Sequence, residues 1–454
     1  MLRVRFLGGD SLSQLFCSSC VHAVCRNPGP VIHRRMHTID PSPRRLPGPL
    51  RALEHRSFRL YFLGQAVSIL GSWIQQVAMA WLVYRLTGSA ALLGVTAFAA
   101  LIPQLLVGPL AGAWIDKHDK RRWLLRVQGL LAAQALVLAG LTWMGWVGPG
   151  LLVSMALLLG VLNSFDTPLR QSLISVFVER REDLPNALAL NAMLFNTGRF
   201  VGPPVAGLLL GLTSEAACFA LNALSFVALF VAVASVKLPA MPRAQGTVGD
   251  VFKEGLAYAW HTWTVRMLII VLMALNLTAS AYAVLLPVFA AEVFAGDART
   301  LGLLWGAAGC GAFGSTVFLA TRRSVPGLIG ATTLGTALSA VALLAFGWTR
   351  LLPVAMGAMV ILGFGISVCN VGINMLLQSM APDRLRGRIV SFFTSARFGF
   401  DALGGLLAGF IASAIGPGRT MILEGVVLLG FVVFLASRRE QLVAHVVRHD
   451  SGVS

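Results

Sequence analysis

Two carboxylate–guanidinium pairs stand at helical spacing in stretches that otherwise carry almost no charge. Asp166 and Arg170 are four residues apart, as are Arg397 and Asp401, and Arg199 lies in a third apolar stretch. Residues four apart share a helix face, so each pair can close into an ion pair within one helix. An ionisable group at the centre of a membrane-spanning helix costs about 2.5–3.5 kcal/mol, and mutual pairing lowers that cost. Two chemistries fit. Asp166 or Asp401 takes up and releases a proton, its arginine stabilising the ionised form, or both pairs are structural and never titrate. Glu424, in the last apolar stretch, is a third carboxylate of the same kind.

The stretches that carry these charges read as helices that cross a bilayer. The chain has 454 residues, 56% hydrophobic and 12% charged, with mean hydropathy +0.77. A soluble protein carries about twice that charged fraction. Apolar runs recur, each near the 20 residues a spanning helix needs. They predict twelve spans, roughly 58–84, 90–114, 122–146, 149–178, 186–211, 215–237, 264–290, 300–321, 326–347, 351–379, 387–413 and 418–437. The fold class is therefore an all-α membrane protein.

The net charge of +17 is not a nucleic-acid signature. The positive residues collect at alternate ends of the spans: Arg51, Arg56 and Arg59, the 117–126 cluster, Arg180 and Arg181, the 237–266 segment, Arg322 and Arg323, Arg384 to Arg388, and Arg438 and Arg439. No continuous basic and aromatic surface is formed. The asymmetry predicts that both termini and the 115–122 loop are cytoplasmic.

Three segments carry sequence patterns of their own. In GPLAGAWIDKHDKRR, Gly108 and Gly112 fall on one helix face and predict close approach of a neighbouring helix. Asp116 follows at the helix end, and Lys117, Lys120, Arg121 and Arg122 form a dense basic loop. In the fifth span, Gly198, Gly202, Pro203 and Gly207 predict tight packing and a bend where proline removes a backbone donor. Arg199-Phe200 recurs 198 residues later as Arg397-Phe398, and the same offset relates Gly207 to Gly405 and Gly211 to Gly409. That repeat makes the fifth and eleventh spans equivalents.

The 108–122 segment resembles the signature loop between the second and third helices of the major facilitator superfamily, G-x-x-x-D-R-x-G-R-R/K, with Lys117 and Asp119 as departures. Gly198–Gly207 resembles the G-x-x-x-G-P-x-x-G-G motif of exporters in that superfamily, with Ala206 replacing one glycine. Phe58–Thr87, Phe165–Asn191 and Leu385–Arg388 resemble the branch that contains enterobactin exporters and drug efflux proteins. The resemblance covers roughly 56–437. It implies twelve helices in two pseudo-symmetric six-helix halves, and a gate in which Asp116 meets the eleventh helix to latch the outward-open state. Export rather than import is implied by the glycine–proline motif.

The resulting domain reading is a 1–50 cytoplasmic extension read as disordered, a 51–237 half, a 238–263 linker holding an amphipathic surface helix, a 264–437 half and a 438–454 tail. Met36 is a second candidate start. Gln65, Gln75 and Gln76 on the first span and Asn276 on the seventh are candidate cavity residues, joined by Trp73, Trp81, Trp305 and Phe393 as aromatic surfaces. Cys17 and Cys20 have CxxC spacing without a second pair, so no metal site is expected. No phosphate-binding glycine loop and no nucleophile–base set occurs, so no cofactor, no ATP coupling and no enzyme activity are expected. The predicted protein is a monomeric transporter of the bacterial inner membrane. It exports a small amphiphilic or aromatic substrate such as a drug, siderophore or metabolite, with protons as coupling ion and the lipid bilayer as surroundings. Uptake or lipid movement by the same fold, and a non-transporting sensor or scaffold, are the alternatives.

Overall fold

The computed structural model describes residues 48–236, 262–279, 281–321, 325–381 and 386–450. The 1–47 extension with its cysteines and most of the 238–263 linker with its amphipathic segment lie outside the described residues. Every regular element among the described residues is helical: α1 (Arg56–Thr87), α2 (Ala90–Leu106), α3 (Gly108–Asp116), α4 (Lys120–Trp143), α5 (Pro149–Phe177), α6 (Leu184–Leu212), α7 (Glu215–Ala234), α8 (Trp263–Ala279), α9 (Ala281–Val288), α10 (Ala298–Ala320), α11 (Val325–Trp348), α12 (Leu352–Met380), α13 (Arg386–Ile415) and α14 (Pro417–Asp450). Ten stretches are long and apolar enough to cross a bilayer, α8 and α9 counting as one. With α2–α3 and α6 they make twelve rods among the described residues.

Local chemistry sets the ends. Ser89, Asp119, Ser214 and Asp297 each accept a hydrogen bond from a backbone N–H in the first turn of the helix that follows, satisfying donors that have no partner within it. Gly88, at φ +59°, closes α1 in the left-handed conformation that glycine adopts without strain.

Three boundaries differ from the sequence expectation. The span expected at 90–114 breaks at Val107, because Pro109 has no N–H to continue the ladder. The span expected to end at 290 runs into a π-turn, Phe289–Val293, just after Pro287. The tail expected from 438 is helical through Asp450, as an extension of α14.

The loop-bearing end with Arg56, Lys120 and Arg180 is called the basic end, and the opposite end, with Gly88 and Gly416, the far end. The apolar core divides along this axis. One cluster is shared by both halves toward the far end, joining Ile74–Tyr84, Leu285–Ala290, Trp305 and Ala408. Toward the basic end there are two clusters, one drawn from 52–236 and the other from 265–435. The halves are thus fused at the far end and separately packed at the basic end.

Glycine contacts make that fusion. A Cβ on Gly207 of α6 would lie 2.6 Å from Ala298 O and 2.9 Å from Gly302 Cα on α10. A Cβ on Gly409 of α13 would lie 2.6 Å from Ala90 O and 2.9 Å from Gly94 Cα on α2. The two contacts are copies of one another, so Gly207 corresponds to Gly409, 202 residues on. The repeat offset of 198 inferred from Arg199-Phe200 is off by one helical turn. Contacts between backbones, not identities of side chains, set the true register. Hydrogen bonds reinforce the seal: Tyr84 Oη donates to Glu292 across the halves, and Arg299 donates to Gly211 O at 3.4 Å.

At the basic end Asp183 is a hub. Its buried carboxylate takes Arg51, His55 at 2.9 Å and Arg180 at 3.5 Å. Together with Ala52 N, which donates to Asn186 Oδ1 at 2.9 Å, this ties the 3-10 turn Gly48–Glu54 to the α5–α6 connection. The hydrogen bond from His55, aided by the charges of Arg51 and Arg180, holds the Asp183 carboxyl below the usual carboxylate range.

Two measurements check these contacts. Gly207→Val and Gly409→Val each overfill a backbone contact and are expected to destabilise by about 1–3 kcal/mol in detergent. Gly129→Ala, where a Cβ meets open space, is expected to leave the unfolding midpoint unchanged or raise it. A depressed carboxyl supports the fold above its unfolded value and loses that support as pH falls past it. Asp183→Asn is therefore expected to lower stability at neutral pH and flatten the acid limb below about pH 4. An acid limb identical to that of the natural protein would assign the loss to other carboxylates.

Candidate functional site

A cavity of about 220 Å³ opens among α1, α5 and α6. Helical spacing builds its walls. On α5, Thr167, Arg170, Gln171 and Ile174 recur at intervals of three and four, and on α6 Asn191 and Phe195 are one turn apart. α1 supplies Tyr61, Gln65, Ile69, Ser72, Trp73 and Gln76. The lining is mixed: aromatic faces, several amides and one guanidinium.

The guanidinium is held from behind. Arg170 Nε lies 2.6 Å from Asp166 Oδ2 on the same helix, and both side chains are about nine-tenths buried. Gln128 of α4 donates to Asp166 Oδ1, and Arg170 donates to Ser68 Oγ at 3.0 Å. Tyr61 Oη donates to Arg170 O at 3.3 Å, its ring stacked on Phe177 at 4.5 Å. Asp166 thus sits one side chain away from the cavity, with Arg170 between.

The candidate cavity residues separate. Gln65 and Gln76 line the space, and Gln65 donates to Asn191 Oδ1 at 2.9 Å. Gln75 does not. It is buried in a chain that ties α1 to α4 and α7, donating to Gln134 Oε1 at 3.2 Å and accepting from Asn222 at 2.6 Å. Asn276 lies in the other half, 3.2 Å from Asn370 Oδ1. Of the aromatics, Trp73 lines the cavity, whereas Trp305 and Phe393 are core residues and Trp81 packs on the shared core.

The second charge pair does not repeat the first. Among the described residues no ion pair joins Arg397 to Asp401; the Arg397 guanidinium lies 5.3 Å from the Phe398 ring centre instead. Arg199 and Tyr282 lie within electrostatic range of Arg397 and Asp401.

The family described as transmembrane secretion effector, a branch of the major facilitator superfamily, matches residues 47–446. The chain belongs to this family. It is 26% identical over 403 residues to the staphyloferrin A transporter of Staphylococcus aureus, covering 85% of this chain and 97% of that one. It is 28% identical over 393 residues to the multidrug efflux pump Tap of Mycolicibacterium fortuitum, covering 82% and 93%. Among solved structures, an inward-facing, occupied bacterial homologue of the lysosomal transporter Spinster superposes with TM-score 0.67 at 14% identity, covering 85% and 97%. The nucleoside transporter NupG gives 0.62 at 15%, covering 86% and 98%. The protein is a major facilitator transporter and not an enzyme.

The signature loop is built differently from the sequence expectation. A Cβ on Gly108 or Gly112 would meet nothing within 4 Å, so neither glycine serves a close helix contact in this conformation. Among the described residues that face of α3 is open at both glycines. α3 packs through Ala111 and Ile115, with Trp114 edge-on to Trp123 at 4.1 Å. Arg121 caps α7, donating to Val233 O at 3.3 Å and Ala234 O at 2.8 Å. Lys117 is exposed and Lys120 begins α4. Asp116 closes α3, and its side chain lies outside the described residues.

In α6, Gly198 and Gly202 face α1, where a Cβ would strike Ile69 and Trp73, while Gly207 and Pro203 O face Gly302 of α10. The residues missed from sequence are Tyr61, Thr167, Gln171, Phe195, Gln128 and the contact glycines Gly94 and Gly302. The spacing of Thr167, Arg170, Gln171 and Ile174 around Asp166 was a readable signal. Gln128, from another helix, left none.

Gln75 and Gln76 test the division between scaffold and cavity. Gln75→Leu strands the buried amides of Gln134 and Asn222 and is expected to cost about 1–3 kcal/mol of stability. Gln76→Leu, exposed in the cavity, is expected to leave the thermal midpoint within error. The reverse order would place Gln75 in the cavity wall.

Proposed function

We propose that this protein exports a small amphiphilic or aromatic compound across the plasma membrane by proton-coupled alternating access, working as a monomer with its basic end in the cytoplasm. The observation that carries the reading is the buried Asp166–Arg170 pair, whose arginine forms part of the cavity wall. A proton taken up by Asp166 removes the charge that holds Arg170. The wall then changes by one unit of charge and loses a fixed partner. Cargo against that wall and a proton on Asp166 are thereby energetically linked, and the linkage is reciprocal.

Further observations support the same reading. The cavity pairs aromatic faces with amides, a surface suited to flat, partly polar molecules. The halves are fused at the far end and divided at the basic end, a conformation in which cargo enters from the basic side. Basic loops favour the cytoplasmic side of a membrane. The names of the two relatives, a siderophore transporter and a multidrug efflux pump, suggest siderophores and drugs as the first cargo classes to try. By family resemblance Asp116 serves as the gate that latches the opposite state.

The test is substrate-linked pH change in proteoliposomes holding the purified protein, over a panel of dyes, antibiotics and siderophores. A cargo that drives proton release is the expected result. Asp166→Asn is expected to keep exchange of labelled cargo between equal pools while losing cargo-driven proton movement. Proton movement unchanged in that variant would make Asp166 structural. Cargo movement with no proton flux in the natural protein would replace antiport with facilitated transport.

A further inference from the structure

The cavity wall carries one charge, and that charge is matched from behind. Among the described residues Arg170 is the one charged side chain of the lining, and no carboxylate belongs to it. The other polar groups are amides and hydroxyls, with Gln76, Gln171 and Thr167 exposed. Asp166, outside the lining, lies 2.6 Å from Arg170 Nε, and Arg170 Nη2 donates to Ser68 Oγ at 3.0 Å. Nε and Nη2 form one edge of the guanidinium fork, so that edge is committed to residues outside the lining. Asp166 meets Arg170 at Oδ2 and accepts from Gln128 at Oδ1, the arrangement of an ionised carboxylate.

A matched pair presents little net charge to a cargo. A carboxylate brought to this wall loses its water, and Asp166 opposes the attraction that Arg170 exerts. An uncharged carbonyl or amide gives up less hydration and still accepts a hydrogen bond from the guanidinium. Neutralising Asp166 reverses the balance, because a buried guanidinium without its partner favours an anion beside it.

We propose that the Asp166–Arg170 pair makes the cavity selective for cargo that sets an uncharged polar group, a carbonyl, amide or hydroxyl, against Arg170, and excludes cargo that sets a carboxylate there. Arg170 meets the cargo, and Asp166 is a positioning residue that acts through it. The aromatic body lies along Trp73 and Phe195. This charge rule deepens the export reading and rests on it for the cavity as cargo site and Asp166 as proton site. The groups that face Asp166 are Arg170 on its own helix, Gln128 of α4 and, beyond Arg170, the Tyr61 phenol of α1. No other charged side chain among the described residues acts on it. An anion is held better once Asp166 is protonated, so it would travel with the proton. An uncharged cargo is held better against the ionised pair and displaces the proton, as antiport requires.

Equilibrium binding of 1-naphthylacetamide and 1-naphthylacetate to the purified full chain in lipid nanodiscs, at one fixed neutral pH, tests the rule. The probes share an aromatic body and differ in the carboxylate. The natural protein is expected to bind the amide at least about tenfold more tightly than the acid. Asp166→Asn is expected to bring the acid to at least the affinity of the amide. Adding Arg170→Gln to that variant removes the bared cation and is expected to restore the preference for the amide. Arg170→Gln alone is expected to keep it. Amide binding checks the fold of each variant, while the natural protein needs no variant to decide the exclusion. Parity or a preference for the acid in the natural protein, binding of neither probe, an amide preference untouched by Asp166→Asn, or a reversal that survives in the double variant overturns the proposal. The assay uses no gradient, so its failure leaves a measured proton-coupled export standing, and failure of proton flux leaves a measured amide preference standing.

Discussion

Backbone contact between glycines at the far end is the constraint on which the rest of this transporter depends. Gly94 with Gly409, and Gly207 with Gly302, bring helices of opposite halves so close that a methyl group on any of the four would enter its neighbour's backbone. Inside a bilayer there is no hydrophobic drive to join helices, because lipid tails are as apolar as the side chains. Association then comes from dispersion between closely matched surfaces, and small residues provide the match. These contacts let one apolar core span both halves at that end. No comparable contact joins the basic ends among the described residues, and two cores form there instead. The cavity lies within the first half, among α1, α5 and α6.

The same physics explains how polar groups are arranged. A bilayer offers no water to solvate an amide or a carboxylate, so each is matched by protein. Gln75, Gln134 and Asn222 satisfy one another and stitch three helices together. Asp166, Gln128, Arg170 and Ser68 do the same around an ion pair. The first set is closed and faces no cavity. The second has one member, Arg170, at the cavity surface.

Family membership and cavity chemistry answer different questions. The match over residues 47–446 establishes a major facilitator transporter. Solved relatives at 14% and 15% identity share the fold under different names, so the fold does not choose the cargo. The cavity on the page is built by side chains of α1, α5 and α6.

The sequence by itself determined the helices, their approximate ends, and the identity of the buried charges, because each depends on local composition and on period. Asp166 with Arg170 was legible since both lie on one helix at a spacing of four. What only the tertiary structure decided depends on contacts between segments far apart in the chain. The pairing of Gly94 with Gly409 fixed the repeat register one turn away from the register that matching letters suggested. Tertiary structure also left Gly108 and Gly112 open among the described residues, and made Gln75 scaffold while Gln76 faces the cavity. Adjacent residues on one helix point about 100° apart, so which of them meets a cavity is set by where the neighbouring helix lies, and no local pattern encodes that.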